Sequence, residues 1–344
     1  MKAALLHGPR DLRVEQRPMP DAPGPGEVLL HIRSMGICGS DVHAFADFAM
    51  GGEPFPAPQT IGHECAAEVV EVGPGVERPM PGDRVGIEPS RSCGRCEWCR
   101  GGMPNVCPDV QFLGFPGTPG VSCEFTVLPA ELCYPIPEQI TFDEAVLLEP
   151  LQISLHAVRL VPVVPGEHVV IIGCGPVGLG CLQLVKAAGA TRIIATDKLD
   201  YRLDVARRLG TDFTVNVTRE DAVERVREIT AGRGAHKVFE CTNTAGGPPQ
   251  AAEVAAIGAQ IAMIGIPEGD DATVPTHVAR RKQLSFQFIR RSPRLARQVV
   301  ELVSSGLVDL KTCVTHTFAL EDIAKGFELV GNYADGVIKA VINP

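Results

Sequence analysis

Val169-Val170-Ile171-Ile172-Gly173-Cys174-Gly175-Pro176-Val177-Gly178 joins an apolar run to a G-x-G-x-x-G turn. Four consecutive β-branched residues read as a buried strand, and the spacing from Val177 onward is helical. In a strand–turn–helix of this kind the first glycine permits a tight turn and the second lets backbone approach a pyrophosphate. The third allows close helix–strand packing, and the helix N-terminus offers N–H donors to phosphate. Nineteen residues beyond Gly178 a second apolar run ends at Thr196-Asp197. A carboxylate there accepts hydrogen bonds from the ribose hydroxyls of a dinucleotide and repels a 2′-phosphate, so the reading is NAD over NADP. Lys198 and Arg202 stand close enough in sequence to temper that repulsion. The candidate cofactor residues are Gly173, Gly175, Pro176, Val177, Gly178, Asp197 and Arg202.

Outward from this turn, strands are predicted at 169–172, 192–196, 213–215, 237–241, 260–264 and 284–289, with helical spacing between most of them. Six strands with crossover helices make a doubly wound parallel sheet. Upstream, residues 1 to about 140 read as short strands (28–32, 66–72, 84–87, 125–128) punctuated by Gly and Pro, an all-β, barrel-like part. Helical periodicity covers 144–160 and is interrupted by Pro150. After 290 a helix, a strand near 313–318 and a helix near 320–330 are expected to return to the first part. The domains are therefore placed at 1–152, 153–289 and 290–344.

A chain of 344 residues suits two domains. Its formal charge is −9, with acids and bases mixed along the chain, which disfavours a nucleic-acid partner because phosphate backbones need a basic face. The N-terminus carries an apolar run of only four residues and reads as a strand rather than a signal peptide. No stretch approaches the eighteen apolar residues of a membrane span. Several of the 12 cysteines have metal-ligand spacing, and others, such as Cys174 and Cys181, lie in apolar surroundings. The expected compartment is a reducing cytoplasm.

Cys93, Cys96, Cys99 and Cys107 form a C-x2-C-x2-C-x7-C lobe at about 90–108, where short intervals let one loop wrap a tetrahedral zinc. Cys38-Gly39-Ser40-Asp41-Val42-His43 and Gly62-His63-Glu64 lie in the β-rich part. Singly these say little. Together with the four-cysteine lobe and the dinucleotide turn, in this order, they resemble the zinc-dependent medium-chain alcohol dehydrogenases over essentially the whole chain. Within that family the chain looks like the sorbitol and polyol branch. The third zinc-ligand position, a cysteine in ordinary alcohol dehydrogenases, falls at Glu149 in Leu147-Leu148-Glu149-Pro150-Leu151.

The resemblance implies a GroES-like β-rich catalytic domain, a Rossmann domain binding NAD, and two zinc ions per chain, one catalytic and one structural. It makes Cys38 and His63 direct ligands of the catalytic zinc. Glu64 and Glu149 supply oxygen, one directly and the other directly or through water. Exchanging thiolate for carboxylate hardens the metal and suits two adjacent substrate hydroxyls. The implied reaction passes hydride from a polyol or secondary alcohol to NAD, with Ser40 accepting the hydroxyl proton and relaying it to His43. Asp41 is expected to hold His63 in its ligating tautomer. Phe45, Phe112 and Phe115 are expected either to wall the substrate cleft or to pack in the core. Arg290 or Arg291 is expected to bind substrate hydroxyls or to lie as a surface cation. The alternatives are a butanediol, threonine or inositol-derivative dehydrogenase on the same scaffold and, in another class, a non-catalytic NAD-binding regulator, which the intact Cys38, His63, Glu64, Glu149, Ser40 and His43 argue against. A homo-oligomer, tetramer or dimer, is expected, as are a small-molecule substrate and no membrane partner.

Overall fold

The computed structural model describes residues 1–267 and 271–344. The chain divides into two compact units: Met1–Glu149, Ala296–Ser304 and Leu310–Pro344 form the first, and Pro150–Leu295 with Ser305–Asp309 the second. The second unit is thus an excursion from the first.

The sheet that carries the first unit runs in the order Cys133–Pro135, Arg84–Ile87, Glu64–Val72, Glu27–Gly36, Lys339–Asn343, Val314–Ala319, with Phe125–Pro129 also paired to Glu27–Gly36. Glu27–Gly36 is central, and its Val28, Leu30, Ile32 and Met35 are fully buried. Val28, Leu30 and Ile32 alternate along the strand and turn one face to the core. In the antiparallel register Gly36 lies opposite Glu64 and also opposite Val341. A β-carbon at Gly36 would stand 2.4 Å from Glu64 Oε2, so the missing side chain makes room for that carboxylate.

Lys339–Asn343 was not among the predicted strands. It has only five residues and is buried along nearly its whole length, so it shows no alternation to read. The expected helix over 144–160 is two helices, Phe142–Ala145 and Leu148–Leu160. The break falls before Pro150, which sits in the first turn of the second helix, where its missing N–H has no intrahelical partner to lose.

Among the described residues the second unit holds six parallel strands in the order Phe213–Asn216, Arg192–Asp197, His168–Ile172, Ala235–Glu240, Ala255–Met263, Ser285–Phe288. Sequential numbering gives 3-2-1-4-5-6, the doubly wound arrangement expected. The fifth strand starts five residues before its predicted position, because Ala255-Ala256-Ile257-Gly258-Ala259 has weak strand propensity and pairs only through a register shift. Strand order reverses beside His168–Ile172, opening a crevice at the carboxyl ends where such sheets bind ligands. Among the described residues no helix is long and apolar enough to cross a membrane.

Candidate metal centres and cofactor turn

Among the described residues two metal-donor clusters occur, both in the first unit. In the lobe, the four sulfur atoms of Cys93, Cys96, Cys99 and Cys107 lie within 4.8 Å of one another. Cys96 and Cys99 sulfurs are 3.4 Å apart, Cys96 and Cys107 3.9 Å, and Cys93 and Cys99 4.0 Å. A tetrahedron built on zinc–sulfur bonds of about 2.3 Å has edges of about 3.8 Å, and a disulfide would need about 2.05 Å. The cluster fits zinc, and all twelve cysteines are free thiols. Backbone N–H groups point at the sulfurs: Cys96 N donates to Cys93 Sγ and Cys99 N to Cys96 Sγ, each at 3.4 Å. Amide donors from Arg95 and then Cys96 bring the Cys93 thiol down to about 6, which favours the thiolate a metal needs.

In the second cluster His63 and Glu64 are buried and Cys38 is half-buried. Cys38, His63 and Glu64 bring one sulfur, one nitrogen and one oxygen within 4.8 Å of one another. Cys38 precedes the helix Gly39–Asp47, and its backbone N–H donates to Asp41 Oδ2 at 3.1 Å. The other oxygen of Asp41 stands 3.2 Å from His63 Nδ1. Burial pushes the His63 pKa down, but the Asp41 carboxylate and Cys38 outweigh it and hold the imidazole well above its usual range. A buried carboxylate beside a ring nitrogen is the arrangement that orients a ligating histidine. Glu64 Oε1 is buried with no hydrogen-bond partner among the described residues. An orphaned carboxylate oxygen beside a thiol and an imidazole fits a divalent cation such as zinc.

Glu64 Oε2 is occupied by a group the sequence reading missed. Lys339 Nζ donates to it at 2.5 Å and to the Ile37 carbonyl at 3.0 Å, and both charged side chains are almost fully buried. Burial lowers the Lys339 pKa, yet Glu64 and Cys38 outweigh that and raise it. A lysine in Val337-Ile338-Lys339-Ala340-Val341, 275 residues from Glu64, carries no motif. A single charge inside an apolar run was the only available signal.

Glu149 lies outside the compact donor set. It is nevertheless buried, and its pKa is driven up to about 8, first by desolvation and then by Glu64 and Glu88, against the pull of His63 and Lys339. Ser40 and His43 sit one turn apart on the helix Gly39–Asp47, Ser40 half-buried and His43 exposed. Phe112 packs its ring 5.0 Å from His63 and 5.1 Å from Phe115. Phe45 instead packs against Phe327 in the core, because its helix position faces inward.

In the second unit each glycine of the turn has a distinct reason. Gly173 adopts φ +89°, a left-handed conformation that disfavours side chains. A β-carbon at Gly178 would lie 1.9 Å from the Gly173 carbonyl oxygen. At Gly175 the nearest atom would be Arg202 Nη1 at 3.9 Å, so this backbone is open to a ligand. Gly175 caps the helix Pro176–Ala187, with Pro176 in its first turn, and Val177 follows. Asp197 accepts from Cys174 N at 2.8 Å and from Leu199 N at 2.9 Å, with Arg202 Nη1 3.9 Å away. It therefore braces the glycine turn as well as ending the second strand.

Residues 24–138 match the alcohol dehydrogenase GroES-like domain, and residues 176–305 match the zinc-binding dehydrogenase domain. The chain belongs to the zinc-binding alcohol dehydrogenase family. It is an oxidoreductase of that class. The chain is 34% identical to a sorbitol dehydrogenase of Bacillus subtilis over 100% of its own length and 97% of that protein. It is 34% identical to an L-idonate 5-dehydrogenase of Vitis vinifera, covering 95% of this chain and 90% of that one. The crystal structure of a 2R,3R-butanediol dehydrogenase from Bacillus subtilis superposes with a TM-score of 0.89 at 30% identity, covering 100% and 99% of the two chains.

Proposed function

We propose that the protein oxidises a polyol or secondary alcohol to the ketose or ketone with NAD, using one catalytic zinc and keeping a second zinc in the four-cysteine lobe. The observation that carries this reading is the Cys38, His63 and Glu64 set, in which oxygen stands beside sulfur and nitrogen. Zinc held there supplies Lewis acidity toward a substrate hydroxyl, and the nicotinamide supplies the hydride acceptor. The chain's own residues do the rest. Asp41 orients His63, and Lys339 balances the charge of Glu64. Phe112 keeps water from the imidazole. Ser40 takes the hydroxyl proton, and His43, one turn further along the helix and exposed, passes it to solvent. Glu149 supplies a second oxygen, protonated or ionised according to the charge beside it. Gly175 and the Pro176–Ala187 N-terminus receive the pyrophosphate, and Asp197 and Arg202 meet the ribose. Free thiols throughout accord with a reducing cytoplasm, and the same reading carries a homo-oligomer, dimer or tetramer, which light scattering distinguishes.

The test is NADH formation from a vicinal butanediol, xylitol, sorbitol and 2-butanol, each also run with NADP, alongside zinc analysis. Vicinal substrates should exceed 2-butanol in kcat/KM, and NAD should exceed NADP. Equal use of 2-butanol and the diol would reduce the reading to a general secondary alcohol dehydrogenase.

A further inference from the structure

The strand His168–Ile172 runs into the glycine turn, and the strands paired on either side of it each end on a buried carboxylate. Arg192–Asp197 ends on Asp197, which braces the turn through Cys174 N. Ala235–Glu240 ends on Glu240, only 2% exposed and apart from both metal centres and the ribose contact. Burying a carboxylate is expensive. Here burial pushes the carboxyl upward, although hydrogen bonds from Thr242 and Gly265 favour the anion. An apolar residue would close the strand at less cost, so stability alone does not account for Glu240.

Its contacts show what it holds. Glu240 Oε1 accepts from Thr242 N at 2.8 Å and from the Thr242 hydroxyl. With its proton committed to the carboxylate, that hydroxyl is left as an acceptor toward Thr244, whose N lies 3.5 Å and Oγ1 3.3 Å away. Two glycines make room for the arrangement. A β-carbon at Gly247 would stand 2.5 Å from Thr242 Oγ1, and one at Gly265 would stand 2.6 Å from Glu240 Oε2. The methyl of Thr242 reaches the glycine turn, where a β-carbon at Gly173 would stand 2.9 Å from Thr242 Cγ2. Cys241 N donates to the Ile172 carbonyl at 2.8 Å beside it. One buried carboxylate thus sets the spacing between the glycine turn and the segments that follow Glu240 and Met263. A dinucleotide crosses such a sheet with its pyrophosphate at the turn and one nucleoside on each side. With the adenosine ribose at Asp197, the second nucleoside passes on the side of Thr242 and Gly265. A hollow of about 240 Å³ borders the same carboxylate, walled by Met263, Ile266, Pro267 and Phe288. Apolar walls with a few convergent polar groups are the usual make-up of a cofactor site.

We propose that Glu240 is a positioning residue for the cofactor, holding Thr242 and Gly265 as the wall that receives the nicotinamide riboside half of NAD. This rests on the NAD reading and deepens it: a carboxylate beneath the wall sets the affinity for that half, and it acts through Thr242.

The test titrates NADH and ADP, which lacks the nicotinamide riboside, against the zinc-loaded enzyme without substrate, by fluorescence and calorimetry. The variants are Glu240→Gln, Thr242→Val, Thr242→Ser and the double variant Glu240→Gln with Thr242→Val. Glu240→Gln keeps the shape and removes the charge, and should raise the Kd for NADH about tenfold, the size of one charge-assisted hydrogen bond. Its Kd for ADP should stay within about twofold of the parent's. Thr242→Val keeps bulk against Gly173 and loses the hydroxyl, and should copy Glu240→Gln. Thr242→Ser keeps the hydroxyl and should hold most of the NADH affinity. The double variant should bind NADH no more weakly than either single one, because both remove the same interaction. Equal weakening of NADH and ADP by Glu240→Gln would make Glu240 a general support of the unit and overturn the proposal. So would unchanged NADH binding in Glu240→Gln and Thr242→Val, or additive losses in the double variant. Should Glu240→Gln fail to fold, Thr242→Val and Thr242→Ser decide the question, and equal NADH affinity in those two overturns the proposal. A parent that binds ADP and NADH neither tightly nor weakly would overturn the NAD reading itself.

Discussion

The lobe and the Cys38–His63–Glu64 centre are two solutions to gripping the same kind of ion. The lobe draws four like donors from fifteen consecutive residues, half-exposed, with backbone amides aimed at the sulfurs. The other takes three unlike donors from two separate segments and sets one of them, the buried Glu64, against a lysine from a third. Saturated and local, the lobe leaves no position for a substrate. The mixed centre has fewer donors, an orphaned oxygen and two buried carboxylates whose charges oppose each other. Chemistry needs the less satisfied of the two sites.

The sharpest way to break this contrast is to remove one ligand from each. Cys38→Ser should cut kcat by about 10³-fold or more, since zinc Lewis acidity is worth several kcal/mol, while the thermal midpoint stays near the parent's. Cys99→Ser should do the reverse, lowering the midpoint and leaving kcat per folded molecule close to the parent's. Each variant should retain one zinc by elemental analysis. Similar kinetic losses in both would erase the distinction.

A smaller effect is expected at the lysine. Lys339→Met leaves the Glu64 carboxylate buried without its cation, which costs on the order of 3 kcal/mol in urea denaturation of zinc-stripped protein. Adding Glu64→Gln to that variant should recover much of the loss. No counterpart exists in the lobe, where Arg95→Met should change stability by less than about 0.5 kcal/mol.

The mildest test is pH. The Glu149 carboxyl has a folded pKa of about 8 against an ordinary 4.5, so the folded chain binds more protons than the unfolded chain between those values. The Glu149 contribution to the stability of zinc-stripped protein should therefore be full below about 4.5 and be lost as pH rises through about 8. Zinc loading, which places positive charge nearby, should flatten that slope, and Glu149→Gln should remove it.

Much of this was legible in the chain because it is local. The lobe, the glycine turn and the six strands around it rest on spacings within a few dozen residues. Glu149 was legible only by resemblance, and its burial among other acids was not legible at all. Lys339 was missed because its meaning depends on Gly36, a position whose empty side-chain space admits the Glu64 carboxylate across two strand pairings. The bracing of the glycine turn by Asp197 was missed for a similar reason, since a ribose-binding carboxylate and a turn-bracing one are the same residue in sequence.

The late arrival of the strand Lys339–Asn343 has a consequence for biosynthesis. The second unit draws nothing from beyond Asp309, so it can close while the chain is still being made. The first unit then waits with an unfilled gap between Glu27–Gly36 and Val314–Ala319 and an uncompensated Glu64 in its interior. Synthesis of Lys339–Asn343 supplies the missing strand and delivers the ammonium group in one step. The metal centre is thereby tied to the arrival of Lys339, and a chain that stops short of it has a finished nucleotide unit and an unfinished catalytic one.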